Sequence, residues 1–306
     1  MTDFLMVLFI YIGIYSIASL GLNLIVGYTG LLSLCQAAFV AIGAYTTAII
    51  MTSTGLSFWW VLPVAGITAS LSGLLIGIPT LRLKGDYLAI ATLGFGEIVK
   101  NLIINWDSVT KGPMGINGIP AVNLFGIKLT ILDKLPWMLI IWGFVFITYY
   151  LVRRIVRSRI GRALEAIRED EIAASSMGIN TAKYKIGAFI TGSFFAGIAG
   201  GLYAAYTQAV APNTFDFMMS VMILCMIVLG GLGRNIAAVA GAVIIVLAEF
   251  TPRLLGISNI IPPQLNQILF GLILVMMMIY RPQGLIGRKK INYAAIVKKE
   301  ILNLEK

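Results

Sequence analysis

Few residues could do chemistry inside the apolar runs of this sequence, and two of them are spaced to act together. Glu97 and Lys100 lie three positions apart in the run 87–105, so on a helix they share one face and can form an ion pair. Gly94 and Gly96 precede the pair by about one turn. Ionisable residues within a span are rare and usually face neighbouring helices or a water-filled cavity. The pair therefore predicts either an internal ion pair or a position on an aqueous path, unless Lys100 only marks the outer interface.

A second polar group lies between the first two apolar runs. Gly27 and Gly30 flank the turn, and Ser33 and Gln36 open the run that follows. Glycines and hydroxyls at membrane depth favour a broken helix, which is tolerated only where the backbone faces protein or a water-filled cavity. Ser33 and Gln36 are therefore predicted either to form hydrogen bonds between helices or to line a path.

Several kinds of chemistry are disfavoured by what the sequence lacks. It contains no His, and Cys35 and Cys225 fall in separate apolar runs, so neither a metal site nor a disulfide framework is expected. The glycine-rich stretch 229–235 is not followed by the Lys-Ser/Thr pair of a nucleotide-binding loop, and no such pattern occurs elsewhere. A protein driven by an ion gradient would have only Glu97 and Glu249 as proton carriers. It stays an alternative, ahead of an intramembrane enzyme.

The elements that must position these residues are membrane-spanning helices. The chain has 306 residues, of which 59% are hydrophobic and 12% are charged, and its mean hydropathy is +0.92. Apolar runs of about 18 or more residues are long enough to cross a bilayer. We predict an all-α integral membrane protein, a polytopic helical bundle of about nine spans (8–10) with a broken second span. The spans are approximately 4–23, 31–51, 58–81, 87–105, 135–152, 186–206, 217–232, 236–251 and 264–280.

The basic residues predict the orientation of this bundle. The net charge is +10, which in a membrane protein reports topology rather than nucleic-acid binding. With the loop 153–185 in the cytoplasm, 18 of the 23 basic residues lie inside and four lie outside. The N-terminus is then outside and the C-terminus inside. We divide the chain into a transmembrane domain, 1–285, and a basic cytoplasmic tail, 286–306, which is expected to contact the inner leaflet or a partner.

The loop 153–185 is the longest polar segment of the chain, with eight Lys/Arg and four acidic residues. Its middle is predicted to be one short amphipathic helix, which Gly178 and Asn180 end. The apolar side of this helix is expected to carry Leu164, Ile167, Ile172, Ala174 and Met177. Such a helix would be presented to a partner between two spans.

Other loops and spans carry weaker signals. Gly73 and Gly77, and again Gly197 and Gly201, are spaced four apart and predict close helix packing. The outer loop 106–134 is turn-rich and is expected to be ordered by packing rather than by regular structure. A loop of this length is usually functional or a docking surface, although a plain connector is the alternative. Its docking candidates are Gly112, Pro113, Gly115 and Gly118.

Six stretches together resemble one family, the LivM-type permease subunits of ATP-binding-cassette importers for branched-chain amino acids. They occur in the family's order and extend over most of the chain, although Cys35 stands where a Gly is usual. The stretches are GYTGLLSLCQAAFVAIGAY (27–45), LRLKGDYLAIATLGFGEIVKN (81–101), GPMGINGIP (112–120), GRALEAIREDEIAASSMGIN (161–180), GGLGR (230–234) and YRPQGL (280–285).

The resemblance implies a transport subunit of a prokaryotic inner membrane that is not itself an enzyme. Its implied partners are a second homologous permease, two ATPase subunits that hold ATP and Mg, and an extracytoplasmic substrate-binding protein. The substrates would be branched-chain amino acids, with urea or short amides as the alternative in wider relatives. The segment 161–180 would be the cytoplasmic coupling helix, with Glu165, Ala166, Arg168, Glu171, Ala173, Ala174 and Gly178 contacting the ATPase. The translocation path would use Ser33, Gln36, Gly94, Gly96, Glu97 and Lys100.

Overall fold

A computed structural model describes residues 2–80, 83, 85–124, 127–254, 271–272, 275–276 and 284–285. The helices are α1 (Thr2–Leu22), α2 (Gln36–Thr54), α3 (Phe58–Thr80), α4 (Asp86–Asn105), α5 (Asp107–Thr110), α6 (Lys134–Arg157), α7 (Arg159–Glu169), α8 (Glu171–Ser176), α9 (Thr181–Thr207), α10 (Phe217–Gly230) and α11 (Asn235–Leu254). A π-helical segment, Asn23–Tyr28, extends α1, and 3-10 turns cover Gly112–Met114 and Pro212–Phe215. The strands are β1 (Ile116–Asn117), β2 (Val122–Leu124), β3 (Ile127–Leu129) and β4 (Ala209–Val210).

Six of the described helical segments are long and apolar enough to cross a membrane, which makes this an all-α membrane protein. They are Asp3–Tyr28, Gln36–Thr54, Phe58–Thr80, Asp86–Asn105, Lys134–Arg157 and Thr181–Thr207. The seventh and eighth predicted spans correspond to the shorter apolar helices Phe217–Gly230 and Asn235–Phe250. With 14 residues, α10 covers about 21 Å of a hydrocarbon core of about 30 Å. The ninth, 264–280, lies largely outside the described residues, so nine spans stay a prediction.

The second predicted span begins later than the sequence suggested. Residues 30–35 are not helical, and α2 starts only at Gln36. Leu31, Ser33 and Cys35 of this non-helical segment are nevertheless buried, and hydroxyls of two neighbouring helices bond the backbone at the break. The Leu34 amide donates to Oγ1 of Thr92 in α4 at 3.0 Å, and in the first turn of α2 the Ala37 amide donates to Oγ of Ser220 in α10 at 2.9 Å. Irregular backbone at membrane depth requires such partners.

Small residues allow α9 to lie against α2 and α3 at backbone distance, as the glycine spacing predicted. A Cβ atom added to Gly43 would be 2.2 Å from the Gly197 carbonyl oxygen, and one added to Gly73 would be 2.1 Å from Oγ of Ser193. Two thirds of the most apolar window is buried in both α1 and α9, compared with 22% in α4 and 28% in α6. The core therefore surrounds α1 and α9, whereas α4 and α6 flank it.

The outer loop contains regular structure, so the expectation of packing alone was wrong. It begins with α5, and β2 and β3 form a hairpin. Strand β1 pairs antiparallel with β4, which follows α9, through Ile116 opposite Val210 and Asn117 opposite Ala209. Backbone pairing thus joins the loop to the C-terminal end of α9, so the loop is not ordered by side-chain packing alone.

The single amphipathic helix predicted in the central loop is two helices, α7 and α8. The break falls at Asp170, whose extended backbone leaves the helix and whose carboxylate accepts hydrogen bonds from the amides of Ile172 and Ala173. An aspartate at this position is a strong helix N-cap. Gly178 has φ +82° just after α8, as its glycine predicted, whereas Asn180 caps the start of α9 by accepting from the Lys183 amide.

Candidate functional site

The inner face of the loop helices is fixed against the bundle. Gly161, Leu164 and Ile167 of α7 are buried, as is Ala174 of α8. A Cβ atom added to Gly161 would be only 1.8 Å from the Val156 carbonyl oxygen at the end of α6, so no larger residue fits there. The predicted apolar side is therefore confirmed for Leu164, Ile167 and Ala174.

Ile172 and Met177 were wrongly assigned to that buried side. Their exposed fractions are 70% and 83%, because the break at Asp170 turns α8 relative to α7. Ala173 is exposed beside them, and Ile160 at the start of α7 is 48% exposed. The loop thus presents large apolar side chains outward, a common feature of protein docking surfaces.

Arg168 connects the loop helices to the interior of the bundle. Its guanidinium Nη1 donates a hydrogen bond to the carbonyl oxygen of Gly27, in the π-helical extension of α1. The same side chain packs against Gly30, and a Cβ atom added to Gly233 would be 2.8 Å from Nη1. A movement of α7 would therefore reach both the end of α1 and the loop between α10 and α11.

Those two segments meet in a buried polar cluster, which we call the α1–α11 junction: Asn23, Gly27, Tyr28, Gly233 and Asn235. The Tyr28 hydroxyl donates to Oδ1 of Asn235 at 3.0 Å, and the amide of Asn23 donates to the same oxygen at 3.4 Å. In return the Gly233 amide donates to Oδ1 of Asn23 at 3.0 Å. Sequence reasoning missed this cluster, although two asparagines at helix ends in an apolar chain are a usable signal.

A second connection holds α8 to α9. Nζ of Lys185 lies 2.5 Å from Oε1 of Glu171, and the two side chains are 4% and 26% exposed. Lys185 was not singled out from the sequence, because its partner is 14 positions away and on another helix. The remaining coupling candidates are less enclosed: Glu165 and Ala166 are half-buried, and Gly178 is exposed.

The path candidates near α2 are buried and hydrogen-bonded. Ser33 and Gln36 are both 0% exposed. Nε2 of Gln36 donates to the Ala18 carbonyl oxygen at 2.9 Å, and Oγ of Ser33 lies 3.4 Å from Sγ of Cys35. Gln36 therefore forms the interhelical bond that was one of its two predicted roles.

The candidates on α4 divide between a small cavity and the outer face of the helix. Gly96 and Glu97 line a cavity of about 10 Å³ together with Asp216 and Ser220 of α10. Gly94 has nothing within 4 Å of an added Cβ, and Lys100 is half-buried. No ion pair joins Glu97 to Lys100, both of which are described, so of the alternatives predicted for them the internal ion pair is not formed. Asp216, which caps α10, is a cavity residue that the sequence analysis missed.

The docking candidates in the outer loop are also divided, here between buried and exposed positions. Gly112 and Gly115 are buried and have positive φ angles, and a Cβ at Gly115 would be 2.1 Å from the Val210 carbonyl oxygen. Pro113 and Gly118 are exposed, and Met114 between them is 84% exposed. The glycines shape the loop, and the residues between them form its surface. Among the residues that the structure describes, no three His, Cys, Asp or Glu side chains gather as metal ligands would.

Comparisons with known proteins identify relatives along the whole chain. Residues 4–278 match the family model described as branched-chain amino acid transport system / permease component. The chain is 40% identical to the high-affinity branched-chain amino acid transport system permease protein LivM of Escherichia coli (strain K12) over 294 residues, which cover 89% of this chain and 68% of the relative. It is 27% identical to a probable LivM of Methanocaldococcus jannaschii, with 97% of each chain covered. It is 24% identical to LivH of Salmonella typhimurium, with 91% of this chain and 92% of the relative covered. No solved structure matches.

Proposed function

This chain belongs to the permease components of branched-chain amino acid transport systems, and from that premise we propose how it performs its part. It is a multi-pass membrane permease of an importer of the ATP-binding-cassette class, and its substrates are branched-chain amino acids. We infer that it lies in the cytoplasmic membrane with the loop 153–185 inside. The distribution of basic residues supports this orientation.

The chain works in an assembly with three kinds of partner. A second, homologous permease completes the membrane unit, and two ATPase subunits bind ATP and Mg and hydrolyse the nucleotide. An extracytoplasmic binding protein delivers the amino acid. The absence of a nucleotide-binding pattern from this sequence supports a separate ATPase. The lightly buried flanks α4 and α6 leave surface for a second permease.

The observation that carries the coupling mechanism is the bond from Arg168 to Gly27. The outward apolar residues Ile172 and Met177 dock on the ATPase, so its closure displaces α7 and α8. Arg168 passes this displacement to the π-helical end of α1, where Gly27 belongs to the α1–α11 junction. The junction then moves α10 and α11 relative to α1. Rigid-body rearrangement of packed elements of this kind is a common way to exchange access between two sides.

The Glu171–Lys185 pair gives the loop its second attachment, from α8 to α9. Because α9 packs at backbone distance on α2 and α3, it carries motion of α8 into the rest of the core. The loop is thus joined to the bundle at two points, one on α1 and one on α9. Two attachment points transmit a rotation as well as a translation.

The translocation path runs beside the non-helical segment 30–35, between α4 and α10. Glu97 and Asp216, which line the small cavity there, supply negative charge for the substrate's ammonium group. The apolar side chains of the cavity contact the branched aliphatic group. A cavity of about 10 Å³ holds no amino acid, so this conformation is occluded at that level and opens during the cycle.

The outer loop receives the binding protein. Its exposed residues Pro113, Met114 and Gly118 form the contact surface, while the buried Gly112 and Gly115 hold the turn. Pairing of β1 with β4 connects this surface to the outer end of α9. Binding outside and ATPase closure inside therefore act on the same central helix.

Uptake of labelled leucine by proteoliposomes that hold the whole assembly tests this function. We expect uptake that requires ATP on the ATPase side, is lost when the ATPase subunits are omitted, and is inhibited by isoleucine and valine. Inhibition by urea or short amides instead would replace the substrate assignment. Uptake by this chain alone along a proton or sodium gradient would overturn the importer mechanism and make Glu97 the residue to study.

Substitution of Arg168 tests the coupling step separately. The Arg168→Gln variant should retain the ATPase subunits but transport about tenfold less leucine per ATP hydrolysed, because a charge-assisted hydrogen bond contributes about 1.5–3 kcal/mol. Arg162→Gln is the matched control, since Arg162 is an exposed arginine on the same helix. Equal transport per ATP in both variants would contradict the role of Arg168.

A further inference from the structure

A cleft of about 290 Å³ lies at the junction of α6, α7 and α11, at the end of the bundle where basic residues gather. It is lined by Tyr28, Tyr149, Arg153, Val156, Arg157, Glu165, Gly233, Arg234, Asn235 and Ile236. Neither the translocation path nor the docking patch on α8 uses it. Three arginines and one glutamate give its lining a net positive charge.

The arginines are arranged to hold a phosphate. Arg153 and Arg157 are one turn apart at the end of α6, and neither forms an ion pair with any residue that the structure describes. Arg234 comes from the opposite wall, immediately before the N-terminus of the 20-residue helix α11. Guanidinium groups bind phosphate oxygens through two parallel N–H donors, and a helix N-terminus favours an anion. The chemistry of the cleft therefore selects an anionic phosphate group.

Apolar surface continues from the cleft along both helices that form its walls. On α6 the turns before Arg153 carry Phe146 and Tyr150, which are 72% and 56% exposed. On α11 the cleft residue Ile236 is 63% exposed, and about two turns further along the helix Ile244 is 39% exposed. A ligand that fits both parts has an anionic phosphate at one end and a hydrocarbon chain at the other.

We propose that this cleft binds the headgroup of an anionic phospholipid, such as phosphatidylglycerol, whose acyl chains lie along α6 and α11. Basic pockets between membrane helices on the cytoplasmic side bind anionic headgroups in this way. A free phosphate would satisfy the arginines but would leave the apolar stripes unused. The cleft includes Tyr28, Gly233 and Asn235 of the α1–α11 junction, so the lipid contacts the element that transmits coupling.

Native mass spectrometry of the purified assembly, titrated with phosphatidylglycerol, tests the proposal without measuring transport. Arg153→Gln/Arg157→Gln should weaken lipid binding about 25-fold, because each arginine near an anionic headgroup contributes about fivefold. Arg154→Gln/Arg159→Gln is the matched control. It removes the same charge from exposed positions of α6 and α7 outside the cleft and should change binding less than about twofold. Arg153→Lys/Arg157→Lys retains the charge but loses the paired donors, so it should bind more tightly than the Gln pair and less tightly than the wild type, which separates charge from misfolding.

The contrary outcomes are distinct. If Arg153→Gln/Arg157→Gln and Arg154→Gln/Arg159→Gln weaken lipid binding equally, general surface charge explains the effect and the proposed site is overturned. Displacement of the lipid by an equal concentration of inorganic phosphate or glycerol phosphate would assign the cleft to a soluble anion instead. Wild-type assembly that retains no phosphatidylglycerol would equally overturn the proposal. None of these results depends on whether leucine is the transported substrate.

Discussion

The ion pair between Glu171 and Lys185 allows a quantitative test, because its two side chains differ in exposure. The side chain of Lys185 is 4% exposed and that of Glu171 is 26% exposed, although they share one bond. Removing one partner of a buried pair leaves an uncompensated charge and costs about 3–5 kcal/mol. Glu171→Gln leaves the ammonium of Lys185 buried, so we expect a cost of about 3 kcal/mol. Lys185→Met leaves a carboxylate that water reaches, so we expect about 1 kcal/mol.

The double variant Glu171→Gln/Lys185→Met completes the cycle. It leaves no charge behind, and we therefore expect it to be more stable than Glu171→Gln alone by about 2 kcal/mol. The measurement is the free energy of local opening, from hydrogen exchange of the α8 amides 172–177 in the assembled transporter. Equal costs for the two single variants, or a larger cost for Lys185→Met, would refute the argument from burial.

Three further predictions concern packing, docking and the path. Gly43→Ala places a Cβ atom against the backbone of α9 and should lower the free energy of unfolding by about 1–3 kcal/mol. The control Gly143→Ala places its Cβ atom in open space and should not lower it. Thermal unfolding of both variants measures the difference. Ile172→Ser with Met177→Ser should leave thermal stability within about 0.5 kcal/mol, since both side chains are exposed, but should reduce co-purification of the ATPase. Glu97→Gln should slow leucine uptake more than it lowers ATPase activity, and equal effects on both would remove Glu97 from the path.

The spanning helices were predictable because the bilayer imposes one simple rule. A backbone inside hydrocarbon must satisfy its own hydrogen bonds, so a long apolar run becomes a helix whatever its partners. Four of the six long spans begin within one residue of their predicted starts, and α9 begins five residues earlier than predicted. Helix α2 begins five residues later than predicted, at Gln36, because the preceding backbone and the first turn find hydrogen-bond partners in Thr92 and Ser220, which lie far away in the sequence.

The position of the candidate site in the chain was predictable from the sequence, but the contacts that join it to the bundle were not. The polar loop between two spans marked α7 and α8, and glycine spacing marked the packing of α9. The bonds from Arg168 to Gly27 and from Lys185 to Glu171 depend on tertiary arrangement, which no local pattern encodes. Asp170 could have been recognised, since an aspartate directly before Glu-Ile-Ala-Ala has the form of an N-cap and would have predicted two helices.

The α1–α11 junction has a consequence for the order in which the chain is made. Asn23 and its partner Asn235 are separated by 212 positions, so α1 leaves the ribosome long before the residue that its amide contacts. At about 5–20 residues per second, roughly 10–40 s pass before Asn235 is synthesised. During this interval the buried amide of Asn23 must use water or temporary partners. The junction therefore closes only after about three quarters of the chain, 235 of its 306 residues, has been translated, so α1 must wait in the membrane for the helix that completes it.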